Sequence, residues 1–475
     1  MAALYNKPRF SRALLPAVFW ALLSVCACSE PAPARPNILA VVISGLRADH
    51  VSAYGYGRQT TPSLDALAAS GTVYETALAA SAWRLASQAS MMTGRYPSEH
   101  DVGFDHPVLD DGLMTLAERM KAAGYATLAV TTDSAIGRAN GFAQGFDEFV
   151  EIRPEEQGSV DDGAALAETA LYDGIHRFRL ASPRTPIFAY LILKNPTLPF
   201  GPPEEYRRRF LEKPFPLPRL EELSELWIPF ARQLSAGLAS LSPEDREAMV
   251  ALYDGEIAYA DYRLGRILQT LSREGLRERT VVIVTSDIGE DLTDHGLLAD
   301  ASNLYDSMIR VPLVVNLPGT IPQGVRVPGQ VRTLDFAQAV LKLASDPPLP
   351  TPVRDLFAQR PVVISEARFD PGAIRYLKTL QPAEDYSCLE RNLVGVRTPD
   401  YKFVLTSRDT SALFDLKADP GEQRSIAEKH PARVREMDTL VGRWSAALRP
   451  RPVGPRSPAA AAATSGAGAQ PAGPR

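Results

Sequence analysis

Cysteine is nearly absent from the 475-residue chain: there are three, Cys26, Cys28 and Cys388. With Cys26 and Cys28 inside an N-terminal leader, Cys388 stands alone, which excludes an internal disulfide framework and a thiolate metal site. Histidine is equally sparse, at six residues. No basic excess exists either. The formal net charge is −5, and a nucleic-acid partner would call for a concentrated basic face, so none is expected. No apolar run approaches the roughly 20 residues needed to span a bilayer. A glycine-rich phosphate loop and a Ser-His-Asp spacing are also missing.

What the chain does have is an export-type start. Lys7, Arg9 and Arg12 precede the apolar run 13–25, which ends in Val25-Cys26-Ala27-Cys28. The run is too short for a membrane span and suits a signal peptide. Its end resembles the bacterial lipoprotein cleavage box, which implies lipidation of Cys28 and a membrane-anchored, periplasmic or outer-membrane protein; the alternative is ordinary cleavage near Ala27. Acyl anchoring contributes about 0.8 kcal/mol per buried CH₂. Residues 29–36 read as a Pro-rich tether and 451–475 as a disordered Pro/Ala/Gly tail.

Between them lies an alternating pattern. Asn37–Ile43 is a continuous β-branched, apolar run of the kind buried on both faces of a parallel sheet, and similar runs recur at 126–131, 186–193 and 280–285. Helical periodicity separates them at 61–70, 114–123, 161–181 and 243–274. The expected fold class is therefore α/β, a large mostly parallel sheet flanked by helices, over residues 37–355. From 356 to 450 short strand-like runs at 361–366, 391–396, 401–406 and 412–415 follow one another without intervening helices. A helix at 430–448 completes what is expected to be a smaller antiparallel subdomain.

Six stretches carry a family likeness in order. They are Pro36-Asn37-Ile38-Leu39 with Leu46-Arg47-Ala48-Asp49-His50; Thr61–Ala68; Met92-Thr93-Gly94-Arg95-Tyr96-Pro97; Tyr253–Asp261; Thr285-Ser286-Asp287; and Leu413–Leu416 with Asp419-Pro420-Gly421-Glu422. Together they resemble the sulfatase family of the alkaline-phosphatase-like superfamily. That resemblance implies hydrolysis of sulfuric or phosphoric esters with a divalent cation (Ca or Mg) held by carboxylates, Asn, Gln or His at the strand ends. It also implies a Cys/Ser/Thr-x-Pro-x-Arg nucleophile loop nine residues before the Thr-Gly.

Position by position, those requirements are not met. The first strand ends in Ser44-Gly45 where acidic ligands belong, and Ile288 replaces the ligand beside Asp287, leaving Asp287 as the residual family metal position. The nucleophile position is Arg84, a permanent cation that cannot attack an ester; Ala86, Ser87 and Gln88 complete the altered loop. The anion-holding positions fall on Thr197, in Lys194-Asn195-Pro196-Thr197, and near Asp300. The expectation is a degenerate site: a binding or scaffold protein with no catalytic residue and no cofactor, in which Arg84, Asp287 and Ser44 form a pocket for a sulfated or phosphorylated ligand. Arg84 is expected to fill the cation's space and pair with Asp287. The rival is an active ester hydrolase with a non-standard site and a bound divalent cation. Glu290, Asp291, Asp294 and His295 read as a solvated acidic loop with a relocated metal site as the alternative, His50 and His100 as structural, and Arg207-Arg208-Arg209 as a solvated surface run with an anionic glycan or lipid headgroup as the alternative.

Overall fold

The computed structural model describes residues 35–449 apart from 154–162, most of 212–227, 299–302 and 346–354. The signal, Cys28, nearly all of the tether, Asp300 and the tail 451–475 lie outside the described residues.

The main sheet has nine strands. Its parallel heart runs β4 (Glu148–Glu151), β3 (Ala126–Thr131), β5 (Ile187–Leu193), β1 (Asn37–Ile43) and β6 (Thr280–Thr285). Each of β1, β5 and β6 is buried along essentially its whole length, which is why they read as unbroken apolar runs. The register pairs Val42 with Ile192 on one side and with Thr285 on the other. Ser44, Lys194 and Asp287 consequently emerge side by side at the carboxyl edge. Beyond β6 come β8 (Leu313–Asn316) and then β2 (Thr72–Leu78), each antiparallel to its predecessor, with β7 (Arg310–Val311) and β9 (Val325–Arg332) also pairing with β2. Odd- and even-numbered residues of the central strands feed two separate apolar layers: Leu39, Val41 and Ile43 face one, Ile38, Ala40 and Val42 the other. Helices cover both.

The second sheet is antiparallel, in the order β10 (Val363–Ala367), β11 (Leu393–Arg397), β12 (Tyr401–Thr406) and β13 (Ser411–Asp415), and the helix Pro431–Ala446 packs on it. It docks where Glu366 N donates to Ala80 O at 2.9 Å and where Ile288, Leu304 and Met308 share a core with Val363, Ala367 and Leu393.

One expectation is corrected. A helix, Pro371–Leu380, does intervene between β10 and β11. Asp370 caps it by accepting Gly372 N at 2.7 Å, Pro371 presets its first turn, and Ile374 and Leu377 bury one stripe. The Asp-Pro start and the i, i+3 spacing were the available signals.

The helix Pro243–Arg273 is the long element of the main domain. It starts with a capping box between Ser242 and Asp245, and its middle is buried all round. Its buried polar side chains hold neighbouring loops. Tyr253 OH donates to Gly45 O at 2.7 Å and accepts Arg47 N at 3.0 Å. Asp254 takes His50 Nδ1, Tyr56 OH and Arg58 Nη1 at 2.8, 2.8 and 2.9 Å. Glu256 accepts Gly201 N at 2.9 Å and the Asn195 amide. Asp261 accepts Ser63 N and Leu64 N, both at 2.8 Å, and so caps the helix Pro62–Ala69 from outside.

Candidate functional site

At the carboxyl edge of the parallel strands, where open α/β sheets place their ligand crevices, the Asp287 carboxylate is buried on all sides. Ser44 Oγ lies 2.8 and 3.0 Å from its two oxygens. Gln88 Nε2 donates to Oδ2 at 2.9 Å and Ile288 N to Oδ1 at 2.8 Å. Gln88 is oriented in turn by Tyr190, whose hydroxyl donates to Oε1 at 2.8 Å. Ser87 Oγ donates to the Asp287 carbonyl at 2.6 Å. Four of the residues singled out from the sequence thus meet at one residue: Ser44 and Gln88 on the Asp287 carboxylate, and Ser87 on its backbone carbonyl. Burial pushes the Asp287 carboxyl above its ordinary pKa, against the Gln88 and Ser44 hydrogen bonds and the Arg84 charge. Burial likewise drives the Tyr190 hydroxyl far up, helped by the Asp287 charge.

Arg84 opens the helix Arg84–Thr93. Its Nη1 stands 3.5 Å from Asp133 Oδ2, an ion pair, and its charge also reaches Asp287. The expected Arg84–Asp287 pairing acts through charge alone: among the described residues, the hydrogen-bond donors to the Asp287 carboxylate are Ser44, Gln88 and the Ile288 N–H. Asp133, buried on the turn after β3 and held by Ala135 N on Oδ1 at 2.9 Å, escaped the sequence reading. A carboxylate two residues past a parallel strand was the signal that could have found it.

The donor set can be tested against a divalent cation, which takes six or more oxygen ligands as Ca and a near-octahedral shell as Mg. Gly45 sits at φ 80°, and a β-carbon there would lie 2.1 Å from Pro196 O and 2.9 Å from Thr197 Cγ2. The space an acidic ligand would need is taken up by backbone. Ile288 is buried in the apolar core shared with the second sheet. Ser44 and Gln88 spend their donors on Asp287. Among the described residues, no three His, Cys, Asp or Glu side chains are grouped to hold a metal ion. The described residues do not fit a divalent cation.

Around the site, Thr197 is buried and its hydroxyl has no hydrogen-bond partner among the described residues. The acidic stretch after Asp287 is not a solvated loop, contrary to expectation. Glu290 and Asp291 are buried; Asp291 accepts Asn303 Nδ2 at 3.0 Å and faces His295, 3.7 Å away. Asp294, partly exposed, pairs with the buried Arg47 at 2.5 Å. His295 stacks on Tyr305 and lies 3.0 Å through Nε2 from Gly421 O. These groups tie the strand-end loop to the second sheet.

His50 serves Asp254, as described. His100 accepts Val102 N at Nδ1 and contacts Ser90 Oγ through Nε2, both at 3.0 Å; burial pushes its pKa down to about 3, so it is neutral. Arg207 and Arg208 pair with Glu204 at 3.3 and 4.0 Å, and Arg209 lies over the Tyr206 and Phe210 rings.

A mostly parallel mixed sheet flanked by helices, with a small antiparallel companion sheet, defines an alkaline-phosphatase-like hydrolase fold. The sulfatase family profile matches residues 36–346, and that of the N-sulphoglucosamine sulphohydrolase C-terminal region matches 293–440. The chain belongs to the sulfatase family. It is 23% identical to an ulvan-active sulfatase of Formosa agariphila over 451 residues, covering 88% of this chain and 81% of that one. An N-acetylglucosamine-6-O-sulfatase of Bacteroides thetaiotaomicron is also 23% identical, with 86% of each chain covered. Among solved structures, a phosphonate monoester hydrolase of Agrobacterium radiobacter superposes with a TM-score of 0.68 at 22% identity, covering 87% of this chain and 96% of that one.

Proposed function

We propose that this sulfatase-family chain is an exported, lipid-anchored protein that has lost metal-dependent ester hydrolysis and works as a binding or scaffold protein. The observation that carries the reading is the Asp287 carboxylate, whose donors are a serine, a glutamine amide and a backbone N–H in place of a cation's coordination shell. An arginine at the nucleophile position has no lone pair to offer an ester. Its planar guanidinium does suit two oxygens of a sulfate or phosphate group. The buried Thr197 hydroxyl supplies a further donor on the Gly45 side. The ligand class favoured is thus a sulfated or phosphorylated molecule, held and not turned over.

The test is elemental analysis of the purified protein together with chromogenic aryl sulfate, phosphate-ester and phosphonate-ester assays, each with and without chelator. The expected result is substoichiometric metal and no turnover attributable to the protein. Turnover abolished by chelation, or by Asp287→Asn, would establish the rival hydrolase reading. For the export half, metabolic labelling with a fatty acid should mark the wild type and leave Cys28→Ser unlabelled.

A further inference from the structure

The helix Arg84–Thr93 closes on Gly94 in the left-handed region; Arg95 follows it, Arg449 docks on it, and Arg119 is near enough for its charge to act on Arg95. Arg449, which follows the C-terminal helix, donates from Nη2 to Gly94 O at 2.7 Å. It then wraps Glu99: its backbone N and Nε reach Oε1 at 2.8 and 2.9 Å, and Nη2 reaches Oε2 at 3.2 Å. Glu99 Oε2 also accepts Tyr96 N at 2.8 Å. Each oxygen of this carboxylate therefore already serves two donors, the capacity of its lone pairs.

Arg95 and Arg119 are both half-buried, and neither side chain forms a hydrogen bond or ion pair among the described residues. The Arg95 Nη1 atom is buried without a partner. Burial lowers the Arg95 pKa, and the charges of Arg449 and Arg119 lower it further, with Glu99 alone opposing them. Arg95 thus lies in the field of two further permanent cations, and the one carboxylate that opposes them is already saturated. The dipole at a helix C-terminus favours cations, by about 0.3–1 kcal/mol when exposed. That accounts for one arginine placed there but gives two guanidinium forks nothing to hydrogen-bond.

We propose that Arg95, Arg119 and Arg449 form a second anion site, separate from the strand-end crevice, that takes a tetrahedral oxyanion: a phosphate or sulfate group, free or carried on a lipid headgroup. It lies at the opposite end of the Arg84 helix, roughly 15 Å along its axis. The inference stands independently of whether the chain hydrolyses esters.

The experiment titrates inorganic phosphate against the full chain and follows thermal unfolding, with sodium chloride at matched ionic strength as control. A ligand that binds only the folded state raises the midpoint in step with RT ln(1 + [L]/Kd). The expected result is a phosphate-specific rise in the wild type that persists in Arg84→Gln and is lost when R95Q/R119Q is combined with Arg84→Gln. The R95K/R119K variant keeps the charge and loses the fork, so it should bind several-fold more weakly and serves where the Gln variant folds poorly. Co-sedimentation with phosphatidylglycerol vesicles, against phosphatidylcholine, separates the sources. Pelleting that depends on Arg95 and Arg119 assigns a headgroup, and phosphate binding without it assigns a soluble ligand. A wild type that responds no more to phosphate than to chloride, or variants that respond as strongly as the wild type, would overturn the proposal.

Discussion

Gly45 offers a quantitative check on the claim that the old ligand space is closed. Its φ of 80° is one that L-residues adopt at a cost of about 1–2 kcal/mol. A β-carbon added there would also lie 2.1 Å from Pro196 O, a contact no side-chain rotation can relieve because the neighbour is backbone. Overpacking of this kind costs about 1–3 kcal/mol more. Gly55 supplies the control: its φ is 97°, and nothing lies within 4 Å of the β-carbon position. Gly55→Ala should therefore lose only the backbone contribution, whereas Gly45→Ala should lose about 2–5 kcal/mol in all. Urea denaturation of the two variants side by side measures the difference directly. Gly45→Asp, which restores a family-type acid, should be at least as destabilised as Gly45→Ala and should gain no divalent-cation affinity by calorimetry. If Gly45→Ala proved no less stable than Gly55→Ala, or if Gly45→Asp bound a cation tightly, the argument that Pro196 occupies the ligand's place would be wrong.

Two further outcomes are expected. Lys402, buried without exposure on β12, holds Asp306 at 2.8 Å and Glu422 at 2.9 Å. Lys402→Met leaves those carboxylates with less compensation and should cost about 3–5 kcal/mol in denaturant unfolding. Glu256 is raised by burial from 4.5 to about 7, so its contribution to stability is present below pH 4.5 and falls away as pH rises to about 7. Unfolding free energies measured across that window should fall less steeply in Glu256→Gln, by up to about 1.4 kcal/mol per pH unit for the one proton; an unchanged slope would refute the assignment.

The fold was legible where burial is two-sided. Asn37–Ile43, 126–131 and 280–285 carry unbroken apolar runs, and β1, β3 and β6 occupy those same spans. β2, interrupted by Thr72, Glu75 and Thr76, and β9, with Arg326, Pro328 and Gln330, sit toward the margin of the sheet and offer no such run. Of the crevice, the identity of the altered positions could be read from order and spacing, since Ser44 and Asp287 end strands that lie next to each other. What Gln88 does could not be read, because its partners Asp287 and Tyr190 are 199 and 102 residues away and only packing brings them together. The buried state of Glu290 and Asp291 was hidden for the same reason. A charged loop reads as solvated until the second sheet is seen to cover it.

The long helix has a consequence for how this chain tolerates change. Tyr253, Asp254, Glu256 and Asp261 address four different segments from one rigid rod. Inserting a single residue between 256 and 261 turns everything downstream by about 100°. The grip on Ser63 and Leu64 would then be lost even though no side chain had been altered. Spacing along this rod is thus constrained independently of composition.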